Sequence, residues 1–438
     1  MARCITPFLL LLSLLAGLAE ADGERKTLRR RIDHVVVEGK KLHALKGTPI
    51  ALARAFRVRA GKTEPIPFQI DERTPAGLYA YDKGAETNRD VDKGNIDDND
   101  ELVFMARDSG DKAPAALLAK RPNCVEIEIK DPKNGRKGWI YLAGYKKSPP
   151  KLSPKDYVSI SYSERGMMVY KTPGFYLDNA RSEGNAVRTS TVKFKKKDGS
   201  LAKNVMDTTK VRLKIHYLLI PISRNGTEMR VVIGAFIDGP VRAVAMNKVE
   251  VYLVWGFWGR APNSLIKFYD YGSEMPTNIK VPINVDKSPL SYYRVAIDLS
   301  SRARGWYFYN DRNPTPLKID GRMGPREKKL DLRWPNWNVT YGPEGAFLTR
   351  LIAPKAVTKL KSSGLHYIDD LKADQSPDNE GGAFGQAGYQ IDMSGIKAGI
   401  YSGLYCAYYL NRFHMGDERR YVDIVDHPLV TSSRQVTK

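Results

Sequence analysis

The segment Asn88-Arg-Asp90-Val-Asp92-Lys-Gly94-Asn95-Ile-Asp97-Asp98-Asn99-Asp100-Glu101 packs five aspartates, a glutamate and three asparagines into one short stretch of a chain whose formal net charge is +21. Carboxylates at this density repel one another, so a folded loop carrying them needs a bound cation, backbone amide donors or full exposure to water. The hard oxygen ligands point to calcium. An EF-hand loop alternates its oxygen ligands, turns at a central glycine and follows it with an apolar anchor. Asn88, Asp90 and Asp92 fit the first three ligand positions. Lys93 then stands where the glycine belongs, and one inserted residue is needed before Ile96 becomes the anchor and Asp97 and Asp100 the later ligands. Glu101 is an alternative bidentate ligand. The expected set is therefore Asn88, Asp90, Asp92, Asp97, Asp100 and Glu101, holding a structural calcium; the alternative is a solvated acidic turn.

Other chemistries leave fainter traces. The chain has no His-Glu-x-x-His helix and no Gly-x-Ser-x-Gly elbow, so zinc hydrolysis and serine nucleophile chemistry gain no support. His366 and His414 lie in polar neighbourhoods and are the only candidates for a general base; no other catalytic residue is expected. Flat rings beside Arg and Asn suit stacking on sugars, which makes Trp306, Tyr307, Trp334 and Trp337 candidate ligand-binding residues, whereas Trp255 and Trp258 read as core. A second acidic stretch from His366 to Gly382 reads as a surface loop. Basic clusters occur at Arg25–Arg31, read as a flexible arm, and at Lys193–Lys197 and Arg326–Lys329. No recognition helix, RNA-binding signature or phosphate loop accompanies them, so nucleic acid is not the expected partner.

The elements that must position these residues are strands. Val211–Ile220 alternates and then turns wholly apolar, and Met229–Ile237 and Lys248–Gly259 repeat the pattern. Asn134-Gly135, Lys197-Asp198-Gly199, Arg224-Asn225-Gly226 and Asp238-Gly239-Pro240 mark hairpins or bends. One short helix is expected within Ala113–Lys120. Val251–Trp258 is apolar at odd and even positions, so both its faces need cover, which argues for stacked sheets. The expected fold is all-β, an antiparallel β-sandwich, supersandwich-like in size, in two β-rich domains. The proline-rich stretch 149–155 separates an N-terminal domain, 22–148, from a large sandwich domain, 156–438.

Arg3, the apolar run Pro7–Ala16 and Ala19-Glu20-Ala21 read as a cleavable leader over residues 1–21, so export to the periplasm or beyond is expected. That run is too short for a bilayer, and no later segment is long and uncharged enough to cross one. Cleavage removes one Arg and one Glu and leaves the charge at +21. Such a surface favours polyanions. Cys124 and Cys406 survive cleavage and would form either one disulfide or two buried thiols.

The segments Pro67-Phe-Gln-Ile-Asp-Glu72, Asp97-Asp-Asn-Asp-Glu-Leu-Val-Phe-Met-Ala106, Gly239-Pro-Val-Arg242, Gly388-Tyr389 and Ala398-Gly-Ile-Tyr401 together resemble exported bacterial β-rich proteins of uncharacterised activity. That resemblance spans most of the mature chain and implies a secreted all-β protein with no catalytic residues to carry over. The expected function is calcium-stabilised binding of an anionic polysaccharide or cell-surface polymer. A polysaccharide lyase and a structural partner in an envelope complex are the alternatives.

Overall fold

The computed structural model describes residues 24–119, 121–162, 168–181, 187–217, 220–252, 258–260, 263–281, 284–285, 290–375, 378 and 382–436. The expected leader and Trp255 lie outside these residues. The chain is all-β, with antiparallel sheets throughout, and it divides into two compact units. The first contains the residues up to Ala80, Arg89–Lys155 and the C-terminal residues from Asp423; the second contains Tyr81–Asn88 and Asp156–Val422. The crossing at Lys155 falls at the end of the proline-rich stretch. The C-terminal residues do not stay with the large domain, as the 156–438 boundary required. Instead Val430–Gln435 adds an edge strand to Cys124–Lys130 of the first unit.

In the first unit, a five-stranded sheet runs in the order Val430–Gln435, Cys124–Lys130, Lys137–Gly144, Ala53–Arg59, Lys62–Pro65, and a three-stranded sheet combines His34–Glu38, Glu101–Met105 and Gln69–Asp71. Alternation along the strands explains how the five-stranded sheet is covered on both faces. Ile140, Leu142, Val125 and Ile127 pack with Val37, Leu102 and Phe104 of the smaller sheet. Trp139, Tyr141, Cys124 and Val58 point the other way and meet Ala113 and Leu118, beside the short helix Ala115–Leu118. Asn134-Gly135 turns the Cys124–Gly144 hairpin, with Gly135 at φ 72°, a left-handed conformation that glycine adopts without steric cost.

The second unit stacks a four-stranded, a five-stranded and an eleven-stranded sheet. One core joins them: Phe175, Leu177 and Phe194 from the first, Ile297, Leu365 and Tyr367 from the second, and Phe268, Phe347 and Tyr409 from the third. Of the strand expected at Lys248–Gly259, residues 248–252 belong to the strand Ala243–Tyr252 and residues 258–259 to the strand Trp258–Arg260 paired with it, and 253–257 lie outside the described residues.

The disulfide is not formed. Cys124 and Cys406 are both buried and outside any disulfide, Cys124 in the first unit and Cys406 in the second, each in a strand of its own sheet. Burial pushes the Cys124 thiol up to about 12, which leaves it unreactive at neutral pH.

Candidate functional site

The acidic loop is built by pairing with the residues just before the Ala53–Arg59 strand. Ile96 donates its N–H to the Thr48 carbonyl at 3.0 Å, Gly47 donates to the Ile96 carbonyl at 2.8 Å, and Ile50 donates to the Gly94 carbonyl at 2.8 Å. Ile96 is buried in the sandwich core, as its place in the loop requires. Gly94 takes φ 85° and donates its N–H to Glu72. These contacts fix the loop on both sides of its carboxylates.

Three of the six expected ligands come together. One ligand oxygen from each of Asp90, Asp92 and Asp97 lies within 4.8 Å of the other two. That spread fits one cation bound at the ~2.3–2.6 Å calcium–oxygen distance. Asp97 accepts the N–H groups of Asn99 and Asp100 with one oxygen, at 2.9 and 3.2 Å. Asp90 is buried, and its Oδ2, like Oδ1 of Asp92, is sealed from solvent without a hydrogen-bond partner. Burial and the facing Asp90 carboxylate push the Asp92 carboxyl up from its ordinary value. One oxygen of buried Asp90 and one of half-buried Asp92 are thus sealed without donors, and the three carboxylates form an all-oxygen donor set of the kind that calcium takes.

The other three serve the fold. Asp100 is buried and accepts the N–H groups of Arg73 and Asp97 at 3.1 and 3.0 Å. Glu101 accepts from the Arg73 guanidinium at 3.0 Å and the Tyr79 hydroxyl at 2.8 Å. Asn88 belongs to the Tyr81–Asn88 segment of the second unit, where its side chain accepts the Tyr81 N–H at 2.7 Å. In a linear reading these oxygens are indistinguishable from ligands, because the backbone donors that satisfy them come from elsewhere in the chain.

A second feature of the first unit was not visible as a motif. Lys26, Arg29, Arg31, Arg57, Arg59 and Arg107 line one open cavity of about 530 Å³, with Asp111 as the only carboxylate in its wall among the described residues. The Arg25–Arg31 segment is therefore no loose arm. Thr27 and Leu28 donate their N–H groups to the Lys137 carbonyl at 2.8 and 2.7 Å, Leu28 is buried in the sandwich core, and the Lys26 N–H donates to Asp111 at 2.8 Å. The ammonium of Lys26 donates to the Ser109 carbonyl at 2.8 Å. Arg57 is oriented by Glu64 at 2.6 Å. Arg29, Arg31 and Arg59 have no ion-pair partner among the described residues. Burial, followed by the repulsion of Arg57, holds the Lys26 ammonium down at about 8.

The candidate aromatics lie in the second unit and do not form one platform. Trp306 is buried in the core and donates to Glu344 at 2.9 Å, so it offers no face to a sugar. Tyr307 is exposed and stacks on Tyr341 with centroids 5.6 Å apart, while Trp337 meets Tyr309 edge-on at 5.2 Å. Trp334 is half-buried against Tyr389 and donates to the Leu351 carbonyl at 3.3 Å. His414 sits exposed on a turn, where its N–H donates to Asp417 at 3.0 Å. His366 instead lies buried in the Gly364–Asp370 strand, and the structure gives the two histidines no common partner.

No family model matches the chain, and no curated protein matches it. Among solved structures it is similar to an alpha-mannosidase from Enterococcus faecalis V583, at TM-score 0.46 and 8% identity, covering 96% of this chain and 45% of that one. It is also similar to a glycosyl hydrolase family 38 protein from Enterococcus faecalis, at TM-score 0.47 and 8% identity, covering 98% of this chain and 50% of that one. The chain thus spans half or less of the length of these proteins.

Proposed function

We propose that the chain is an exported binding protein that holds an acidic polysaccharide along the basic groove of its first unit, with calcium bracing the acidic loop of the same unit. One observation carries the reading: six cationic side chains converge on a single groove against one carboxylate, Asp111. Three of the six, Arg29, Arg31 and Arg59, have no ion pair among the described residues to give up before a ligand arrives. Arginine forks match carboxylate and sulfate groups two oxygens at a time. A polysaccharide fits better than nucleic acid. The wall contains no aromatic ring on which bases could stack, and the longest helix among the described residues, Glu418–Asp426, has nine. The apolar run Pro7–Ala16 and the small residues Ala19 and Ala21 support export.

Calcium at Asp90, Asp92 and Asp97 would relieve the repulsion between facing carboxylates, and loop carbonyls and water would complete the ~6–8 oxygens it takes. Its role here is to stiffen the loop.

Retention on immobilised polygalacturonate, eluted with a salt gradient and repeated with double-stranded DNA as competitor, tests the binding. Elution at moderate salt, with polyuronate displacing the protein more effectively than DNA, supports the proposal. Flow-through at low salt contradicts it, and preferential displacement by DNA moves the partner to nucleic acid.

A further inference from the structure

One face of the five-stranded sheet in the second unit carries charge where a sandwich usually carries either core or plain solvent-facing side chains. The register places Arg212, Arg294, Gln390 and Gly364 in one row across four strands, and Lys210, Ala296, Gly388 and His366 in the next. Residues directly opposite each other in neighbouring strands share a face, so these two rows look the same way. Beyond the Gly364–Asp370 strand, Asp374 and Asp378 reach back over part of this face. Arg212 binds Asp374 at 3.0 Å and Asp378 at 2.8 Å, and Lys210 pairs with Asp298. The cations at that end are neutralised internally.

Arg294 is not. Its Nε donates to Gln390 Oε1 at 2.6 Å and its guanidinium lies 3.9 Å over the Tyr292 ring, which fixes its direction. Both terminal nitrogens are without a partner among the described residues and are not sealed from solvent. Gln390 is itself held, donating to the Ser362 carbonyl at 2.8 Å. Asp374 is near enough for its charge to reach Arg294 but is held by Arg212, so the half-buried Arg294 guanidinium keeps an aimed, empty fork suited to a planar anion.

His366 adds a second, oriented group. Its Nε2 lies 2.7 Å from Gln386 Oε1, and the amide nitrogen of Gln386 donates to Asp374 at 3.3 Å. That amide orientation makes His366 Nε2 the donor and leaves Nδ1 as an acceptor, again without a partner and not sealed from solvent. Between the His366 and Arg294 strands lies the strand of Gly388, and no side chain can stand at that position: a Cβ there would fall 2.0 Å from the Val295 carbonyl oxygen. Strands two apart in a sheet are ~10 Å apart, a gap that a long arginine side chain and a sugar-sized ligand together span.

We infer that this face binds a hydroxycarboxylate, the group carried by a uronic acid residue, with the carboxylate on the Arg294 fork and a neighbouring hydroxyl donating to Nδ1 of His366. The site is distinct from the basic groove and stands on different residues in the other unit. The ligand can be a free sugar acid or one residue of a chain, and the test separates the two. Galacturonate, tetragalacturonate and sulfate are titrated into the full chain and into its Arg294→Met and Arg294→Lys variants by calorimetry, with the His366 imidazole nitrogens followed by NMR.

The expected result is binding of monomer and tetramer that shifts the His366 signals, is at least roughly tenfold weaker in Arg294→Met, and is partly restored in Arg294→Lys. Tetramer binding alone, with the same loss in Arg294→Met, supports the site and assigns it to a chain. Uronate binding that is unchanged in Arg294→Met, no binding at millimolar concentration, or sulfate binding as tight as uronate would each overturn the inference. Each of these outcomes is read at the His366 signals, which report this face alone, because uronate taken up by the groove of the first unit would also appear in the calorimetry of the full chain.

Discussion

Asp90 and Asp92 present a conflict that ordinary folding does not leave standing: two carboxylate oxygens buried, adjacent and unpartnered. Leaving a buried acceptor unmet costs ~1–3 kcal/mol, more for a charged one, and the proposed calcium would relieve it. This leads to two expected outcomes for Asp92→Asn. In chelator the variant is more stable than the wild type, by roughly 1 kcal/mol, because a repulsive charge is gone. Calcium at about 100 times its Kd raises wild-type stability by ~2.7 kcal/mol and leaves the variant unmoved. Thermal melts with and without calcium check both.

A second residue-scale prediction concerns Glu274, buried in the Gly272–Val281 strand with the Tyr271 hydroxyl as its donor at 3.5 Å. Burial raises its carboxyl to about 7 against the partial compensation of Lys267 and Arg242. For an acid whose folded value lies above its unfolded one, the stability is fully present below the unfolded value and is lost as pH rises through the folded value. Glu274→Gln should therefore gain on the wild type between pH 4.5 and 7, by on the order of 3 kcal/mol, and hold that lead above pH 7. Denaturant titrations at pH 5 and 8 read the difference. A constant offset between the two proteins would show that Glu274 does not titrate.

At the scale of elements, the strand Val430–Gln435 completes its sheet by pairing with Cys124–Lys130, some 300 residues earlier in sequence. It covers the edge of Cys124–Lys130 and brings the Arg434 guanidinium to the buried Glu126 at 2.6 Å. Truncation before Val430 should lower the stability of the first unit by roughly 2 kcal/mol or more, since it strips an edge ladder and removes the cation from a buried carboxylate. Limited proteolysis should then cut the first unit faster than in the full chain. Equal cleavage rates would show that the strand is dispensable.

The same strand illustrates where sequence reading stops. Thr431-Ser432-Ser433 has little apolar alternation, because an edge strand with half-exposed side chains needs none, so nothing local marks it. The acidic loop is the opposite case. Ile96 as inward anchor and the density of carboxylates are local signals, and both lead to the right place in the fold. Which of the carboxylates are satisfied within the fold was not legible, because Asp100 and Glu101 take their donors from Arg73, distant in sequence. The disulfide failed for the same reason: composition allows a bond that the burial of each thiol in its own sheet does not form. The alternation of Lys210, Arg212, Lys214 and His216 did carry the polar sheet face, although the partners that give it meaning, Arg294 and His366, are set by register.

On the scale of the whole molecule, the charge of +21 does not decide between a merely soluble surface and a binding one. The distribution does. Arg57, Arg59 and Arg107 are separated in sequence from the Lys26–Arg31 stretch, and only the folding of the N-terminal segment onto the sheet gathers them around one groove. Leu28, an apolar residue within a basic run, is the one local sign that this segment docks. The division into two units also separates two chemistries: a basic groove with a metal-type loop in the first, and aromatic pairs with the Arg294 face in the second.

The most direct test of the groove is the affinity of the chain for polygalacturonate across a series of salt concentrations, measured for the wild type and for Arg29→Gln/Arg31→Gln/Arg59→Gln. These three exposed positions have no ion-pair partner to lose, so the variant should fold and melt as the wild type does. The expected wild-type result is a linear fall of log affinity with log salt, with a shallower slope and at least roughly tenfold weaker low-salt binding in the variant, in proportion to the ion contacts removed. Identical slopes and affinities for the two proteins would contradict the assignment of the groove as the polymer-binding site.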